Sequence, residues 1–167
     1  MATISVPPHF EGYVKQVPEK NVIEAFKNQQ SLIDQYFNKI TEDHSGFSYA
    51  EGKWTLKEML QHIIDTERIM AYRALCIARG EKASLPGFDE DVYAANSYAS
   101  RRSWKSLVDE MIVVRKSSVV LFESFEPSSL QNIGIGNGKE ITPELMGLVM
   151  IGHVYHHKNV IEERYMK

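Results

Sequence analysis

Four long stretches of this chain carry apolar side chains at the three- and four-residue spacing of an amphipathic helix, and that pattern limits the fold more than any other feature. The first runs from about Val22 to Ile40. Asn21 precedes it and Glu24 follows three residues later, a capping-box spacing. Val22, Ala25, Phe26, Leu32, Ile33, Tyr36, Phe37 and Ile40 make its stripe, broken only by Gln29. The second runs from about Leu56 to Arg79, opened by Thr55 with Glu58 and closed by Gly80, a residue suited to the left-handed C′ position. The third covers roughly Trp104 to Phe125. The fourth follows Thr142, with Pro143 at the first helical position, and continues to about Tyr165.

The links are polar or rich in turn residues. Thr41 to Gly52 reads as loop, and Asp89 to Ala95 reads as a short helix after Pro86-Gly87. Gln131 to Ile141 is the one β-like or irregular stretch. Its Gly134, Gly136 and Gly138 have neither the dinucleotide spacing nor a following Gly-Lys-Ser/Thr, so a hairpin or flexible turn is expected rather than a phosphate loop. Four amphipathic helices in 167 residues predict an all-α four-helix bundle, one domain over 1–167 with its helical core at about 21–165. The links between helices two and three, and three and four, leave room for crossovers.

Composition narrows the partners. The formal net charge is −3, and Arg101-Arg102 is the densest basic pair, so the footprint of a nucleic-acid binder is missing. No run of about 18 apolar residues exists, which argues against a membrane span. Met1 to Phe10 lacks the pattern of a secretory leader, and the single cysteine, Cys76, suits a reducing compartment; a cytoplasmic protein is expected.

Chemistry concentrates in Gly152-His153-Val154-Tyr155-His156-His157, which holds three of the six histidines. At about 100° per residue, His157 lies about 40° from His153 and one turn along, in the sector of Leu145, Met146, Val149 and Val160. Several imidazoles projecting toward a bundle interior cannot readily all be protonated, whereas a divalent cation takes neutral imidazole nitrogens as ligands. The i, i+4 spacing lets two of them reach one ion. Among the remaining candidates His62 is the best third ligand, since His9 lies in a Pro-Pro segment and His44 in a polar loop. His62 sits roughly 60° beyond Met59, at the margin of its stripe, and Glu67 lies closer to the centre. Glu67 is therefore a rival ligand or an outer carboxylate, and Asp65 is a candidate to orient an imidazole. His156 reads as pocket lining.

These elements together resemble the DinB/YfiT-like superfamily: Lys53-Trp54-Thr55 with Glu58 and then His62; Phe88-Asp89-Glu90-Asp91 before the third helix; and His153-x-x-x-His157 followed by Lys158-Asn159-Val160-Ile161. The resemblance covers roughly Asn21 to Tyr165. It implies up-up-down-down connections, and a Zn-, Ni- or Fe-type divalent metal held by His62, His153 and His157. It further implies frequent homodimers, and a thiol-dependent S-transferase or isomerase that uses a low-molecular-weight thiol on a small-molecule substrate. A metal-dependent hydrolase and a non-catalytic metal- or ligand-binding stress protein are the alternatives. Where many relatives carry Arg-Gly-Gln, this chain has Lys158-Asn159-Val160. Glu67, Tyr155 and His156 are the candidate acid–base helpers, and no spacing selects among them.

Overall fold

The structure is a computed structural model that describes residues 5–166. The first four residues of the Met1–Phe10 segment read above lie outside the described residues. The helices are α1 (Pro8–Val14), α2 (Val22–Tyr36), α3 (Glu42–Ser45), α4 (Leu56–Ala78), α5 (Glu90–Asn96), α6 (Trp104–Glu123) and α7 (Pro143–Arg164). The long ones, α2, α4, α6 and α7, form the expected four-helix bundle.

The caps read from the sequence are in place. Asn21 accepts from the backbone N–H groups of Ile23 and Glu24. Thr55 and Glu58 complete a reciprocal capping box, with Thr55 N–H donating to Glu58 Oε2 at 2.8 Å. Thr142 caps α7 at Leu145, ahead of Pro143. Each such cap satisfies a backbone donor that the helix itself leaves free, and removing one typically costs about 1 kcal/mol. The first helix tightens into a 3-10 turn at Phe37–Lys39 rather than running on as α-helix to Ile40. Two short helices were not expected. Thr41 caps α3 inside the segment read as loop, where Glu42 ties Lys57 to the start of α6 by accepting from the Trp104 N–H at 2.6 Å. Pro8, at the first turn of α1, starts a helix in the segment set aside for its prolines.

Pairwise contacts fix the helix directions. Gln29 donates to the Ile151 carbonyl at 2.9 Å and Tyr36 to that of Lys158 at 3.4 Å, so α2 and α7 run the same way. Phe26 packs against Phe122 with the rings tilted, and the Trp104 indole N–H donates to the Phe37 carbonyl, so α2 and α6 run oppositely. Gln61 meets Arg102 and Arg68 meets Glu110, which makes α4 and α6 parallel. Tyr165 reaches Trp54 while His153 reaches His62, which makes α4 and α7 antiparallel. The order is therefore up-down-down-up, not the up-up-down-down order that the resemblance implied. The cause lies in the links. Only 79–103 runs back along the bundle, parallel α4 and α6 being impossible without it. At about 1.5 Å per residue α4 is about 35 Å long, a span that a link of this length covers easily. The α6–α7 link instead turns back at one end of the bundle, through a 3-10 turn (Pro127–Gln131) and the hairpin β1 (Gly134–Gly136) and β2 (Lys139–Ile141).

That hairpin settles the glycine run. Asn137 and Gly138 form its turn with φ of 50° and 70°, the conformation for which two-residue hairpins select Asn-Gly. A Cβ on Gly134 would strike Ile77, so this glycine serves packing.

The apolar core falls into two parts. One gathers Phe26, Met70, Ile77, Phe122, Leu145 and Val149; the other gathers Ile33, Phe37, Leu60, Trp104, Met111 and Ile161. Buried polar side chains lie between them in sequence on all four long helices: Gln29 on α2, Glu67 on α4, Arg115 on α6 and His153 on α7, with His62 just inside the second part. Because α1, α2 and α4 all cover α7, that helix is apolar on several sides rather than along one stripe.

Candidate metal centre

The capping box starts α4 at Leu56 and so sets His62 two turns in, facing mid-α7. There His62, His153 and His157 converge, each almost fully buried. His153 Nε2 lies 3.0 Å from His62 Nε2 and 2.9 Å from His157 Nε2. One ligand nitrogen from each ring can be chosen so that all three lie within 4.8 Å of one another.

Hydrogen bonding alone cannot satisfy this arrangement. A neutral imidazole nitrogen either carries one proton to donate or one in-plane lone pair to accept. His153 Nε2 touches two other ring nitrogens and can serve only one of them in either tautomer. Protonating the rings is no remedy. Desolvation by burial, with His156 adding to it, brings the His62 pKa down to about 4. Burial and then the neighbouring imidazoles hold His153 and His157 well below the usual histidine range. His157 Nδ1 is buried with no hydrogen-bond partner. A divalent ion fits the donor set: three imidazoles held neutral by burial, each with a ring nitrogen within 4.8 Å of the other two. Tetrahedral ligands about 2.0–2.1 Å from zinc would stand about 3.3 Å apart, within a few tenths of an ångström of the two short edges.

A cavity of about 350 Å³ opens onto these rings. Trp54, whose ring centroid is 4.7 Å from that of His62, forms one wall, with Phe10, Met70 and Phe88 around it. Thr66, one turn beyond His62, lines the cavity, and its hydroxyl oxygen is buried with no partner. Glu90 supplies an exposed carboxylate, just after the point where Asp89 caps α5 by accepting from the Val92 N–H. The Phe88 to Asp91 motif thus gives the cavity both a wall and an acid.

The other predicted residues fall elsewhere. Glu67 is not a fourth member of the cluster: Arg115 takes both its oxygens, at 2.8 and 2.7 Å, and donates through Nη1 to Gln29 Oε1 at 2.5 Å. Glu67 faces α6 because it lies five residues beyond His62, about 140° around the helix. Asp65 accepts from Gln61 on its own helix rather than from an imidazole. Tyr155 packs at the edge of the first core region and does not line the histidine cavity. His156 stands half-buried on an adjoining cavity with Lys53 and Tyr49, its ring edge-on to Tyr13.

Sequence reasoning passed over α1, which supplies His9, Phe10 and Tyr13 to the cavity. Tyr13 packs edge-on to His153 at 5.3 Å. A Cβ on Gly152 would come within 2.1 Å of the Tyr13 carbonyl oxygen, so only glycine lets α1 lie this close to α7. Pro8 at a helix start, with Phe10, Tyr13 and Val14 behind it, was the available signal.

The sequence profile of the DinB superfamily matches residues 25–161. The chain belongs to the DinB superfamily. A protein of Oceanobacillus iheyensis named "Putative metal-dependent hydrolase OB0413" is 29% identical over 86 residues, 47% of this chain and 50% of that one; the match spans about half the length of this curated relative. Among solved structures, YfiT from Bacillus subtilis, described as "a probable metal-dependent hydrolase with an unusual four-helix bundle topology", superposes with a TM-score of 0.75 at 15% identity, covering 98% of this chain and 90% of that one. The mycothiol-dependent maleylpyruvate isomerase gives 0.69 at 13% identity, over 83% of this chain and 58% of that one. The colibactin self-resistance protein ClbS, solved with double-stranded DNA, gives 0.62 at 15% identity over 85% and 94%. These three share the fold of this DinB-superfamily chain. ClbS was solved in complex with DNA, so the shared fold by itself does not exclude nucleic acid. Among the described residues no helix is long and apolar enough to cross a membrane.

Proposed function

We propose that His62, His153 and His157 hold a divalent transition metal, and that this DinB-superfamily protein is a metal-dependent enzyme that activates a thiol for transfer to a small electrophile. The carrying observation is the double contact of His153 Nε2, which hydrogen bonding cannot satisfy and a cation can. Three neutral ligands leave such an ion its full charge and open positions, so that it lowers the pKa of a thiol or a water.

The chain's own groups would do the rest. Phe10, Trp54 and Phe88 give the cavity apolar walls. Glu90 is the carboxylate placed to move a proton at the cavity edge, in preference to Glu67, which Arg115 occupies. The thiol reading draws on the resemblance to thiol-dependent relatives and on the isomerase of like fold. Hydrolysis is the second reading, supported by the name of the Oceanobacillus protein.

Elemental mass spectrometry of protein purified without a histidine tag tests the site. About one Zn, Ni, Fe or Mn per chain is expected in the wild type, falling at least tenfold in His62→Ala, His153→Ala and His157→Ala. Unchanged metal in His153→Ala would sink the assignment. With the metal in place, turnover of a thiol plus a maleyl-type electrophile, set against turnover of an aryl ester, separates transfer from hydrolysis.

A further inference from the structure

A second cavity of about 260 Å³ lies beside the histidine cavity, with Phe88 as a wall of both. Its polar feature is Arg73, a side chain that no motif singled out. Arg73 is only 4% exposed, yet among the described residues no carboxylate lies within ion-pair distance of it. Its Nη2 donates to the Pro86 carbonyl at 2.7 Å, and its Nη1 makes a weak contact to Met70 Sδ at 3.6 Å. Met70 lines the histidine cavity, so the guanidinium stands at the partition between the two spaces. The other buried arginine, Arg115, is fully matched by Glu67 and Gln29. A guanidinium stays charged at any physiological pH; here only the Glu90 carboxylate acts on it, from beyond ion-pair distance, and burial with no counter-ion in contact is a cost that a fold alone gives no reason to keep.

The surroundings are fixed. Leu85 N–H donates to the Ile135 carbonyl and Asn137 N–H to the Leu85 carbonyl, so the β1–β2 hairpin holds the Leu85–Phe88 segment over Arg73. Tyr72, Tyr93 and Ile69 complete an aromatic and aliphatic wall, and Arg68 at the rim is already paired with Glu110.

We propose that Arg73 is the anion-recognising residue of a substrate subsite, and that it takes the carboxylate of an elongated molecule whose reacting end lies at the histidines. One guanidinium matches a carboxylate in charge and in its planar two-oxygen geometry. A doubly charged phosphate would leave net charge in an apolar pocket with no second free cation. On α4, His62, Thr66, Met70 and Arg73 fall at positions i, i+4, i+8 and i+11, a rise of about 16 Å, and the arginine side chain leans back toward the helix start. The part of the proposal that joins the two ends rests on the metal-centre reading; the anion subsite does not.

Calorimetric titration with 4-phenylbutyrate as the probe tests it. Wild type is expected to bind the carboxylate saturably, with 4-phenylbutyramide and inorganic phosphate at least tenfold weaker. Arg73→Gln should weaken binding roughly ten- to a hundredfold, and Arg73→Lys less, since it keeps the charge and loses the fork. Ile69→Trp fills the cavity while leaving the guanidinium, and should abolish binding even where Arg73→Gln fails to fold. Arg73→Met should raise the melting temperature of the ligand-free protein, the reverse of what a purely structural arginine would give. Equal affinity in Arg73→Gln or for the amide, preference for phosphate, or no saturable binding by wild type would overturn the proposal. His153→Ala separates the two readings: metal lost with probe affinity kept upholds the subsite, whereas probe affinity lost with the metal places the probe at the histidines and overturns it.

Discussion

Two buried polar clusters sit midway along the same bundle and differ in one respect. Gln29, Arg115 and Glu67 form a closed set: the guanidinium spends donors on both carboxylate oxygens and on the Gln29 carbonyl, and the Gln29 amide goes on to the Ile151 carbonyl. Its charges cancel. His62, His153 and His157 form an open set, with one nitrogen facing two others and a buried Nδ1 left without a partner. Burial is the same for both, so burial does not mark function. Saturation separates them: the satisfied cluster needs nothing from outside, and the unsatisfied one is where we propose that a metal binds.

The largest test strikes the closed cluster. Arg115→Met leaves the Glu67 carboxyl without its partner in the core, and should cost about 3–5 kcal/mol in urea denaturation. Adding Glu67→Leu should return most of that loss. A single-variant loss below about 1 kcal/mol would mean that the cluster is wetter than its contacts show.

Acid should separate the clusters next. In metal-free protein His62 titrates near 4 when folded and near its ordinary 6.5 when unfolded. The unfolded chain therefore takes up its proton first as pH falls. The contribution is intact above about pH 6.5 and is lost progressively down to about pH 4, by about 3 kcal/mol for this ring. Urea midpoints at pH 7 and 4.5 should show this loss, and His62→Leu should remove the part due to this ring. Bound metal should move the loss to lower pH, since ligand nitrogens must stay unprotonated. An identical acid profile in wild type and His62→Leu would contradict the open-cluster picture.

The smallest effect concerns access. Gly152→Ala forces a methyl into the Tyr13 carbonyl and should cost about 1–3 kcal/mol. It should also raise hydrogen exchange in α1, while the Arg115 cluster stays protected. Unchanged exchange in α1 would mean that the helix does not depend on that close approach.

Much of this was legible in the chain. Asn21, Thr55 with Glu58, and Thr142 with Pro143 mark helix starts by local hydrogen bonding, which needs no distant partner. The spacing of His153 and His157 sets them one turn apart on any helix. His62 was harder: its angle on α4 put it at the stripe margin, and Glu67 looked the better placed. Which side of α4 meets α7 and which meets α6 is a matter of helix order around the bundle, and no single helix carries that information. The same holds for Arg115, whose role appears only with Glu67 beside it, and for α1, which is short and held by its fit to Gly152. Sequence by itself determined the four long helices, their N-terminal caps and the donors on α7, because those follow from neighbours within a few residues. Tertiary structure alone decided the up-down-down-up directions, the sorting of Glu67 from His62 and the stranding of Arg73, because each depends on which side chains long-range packing brings together and which it leaves without a partner.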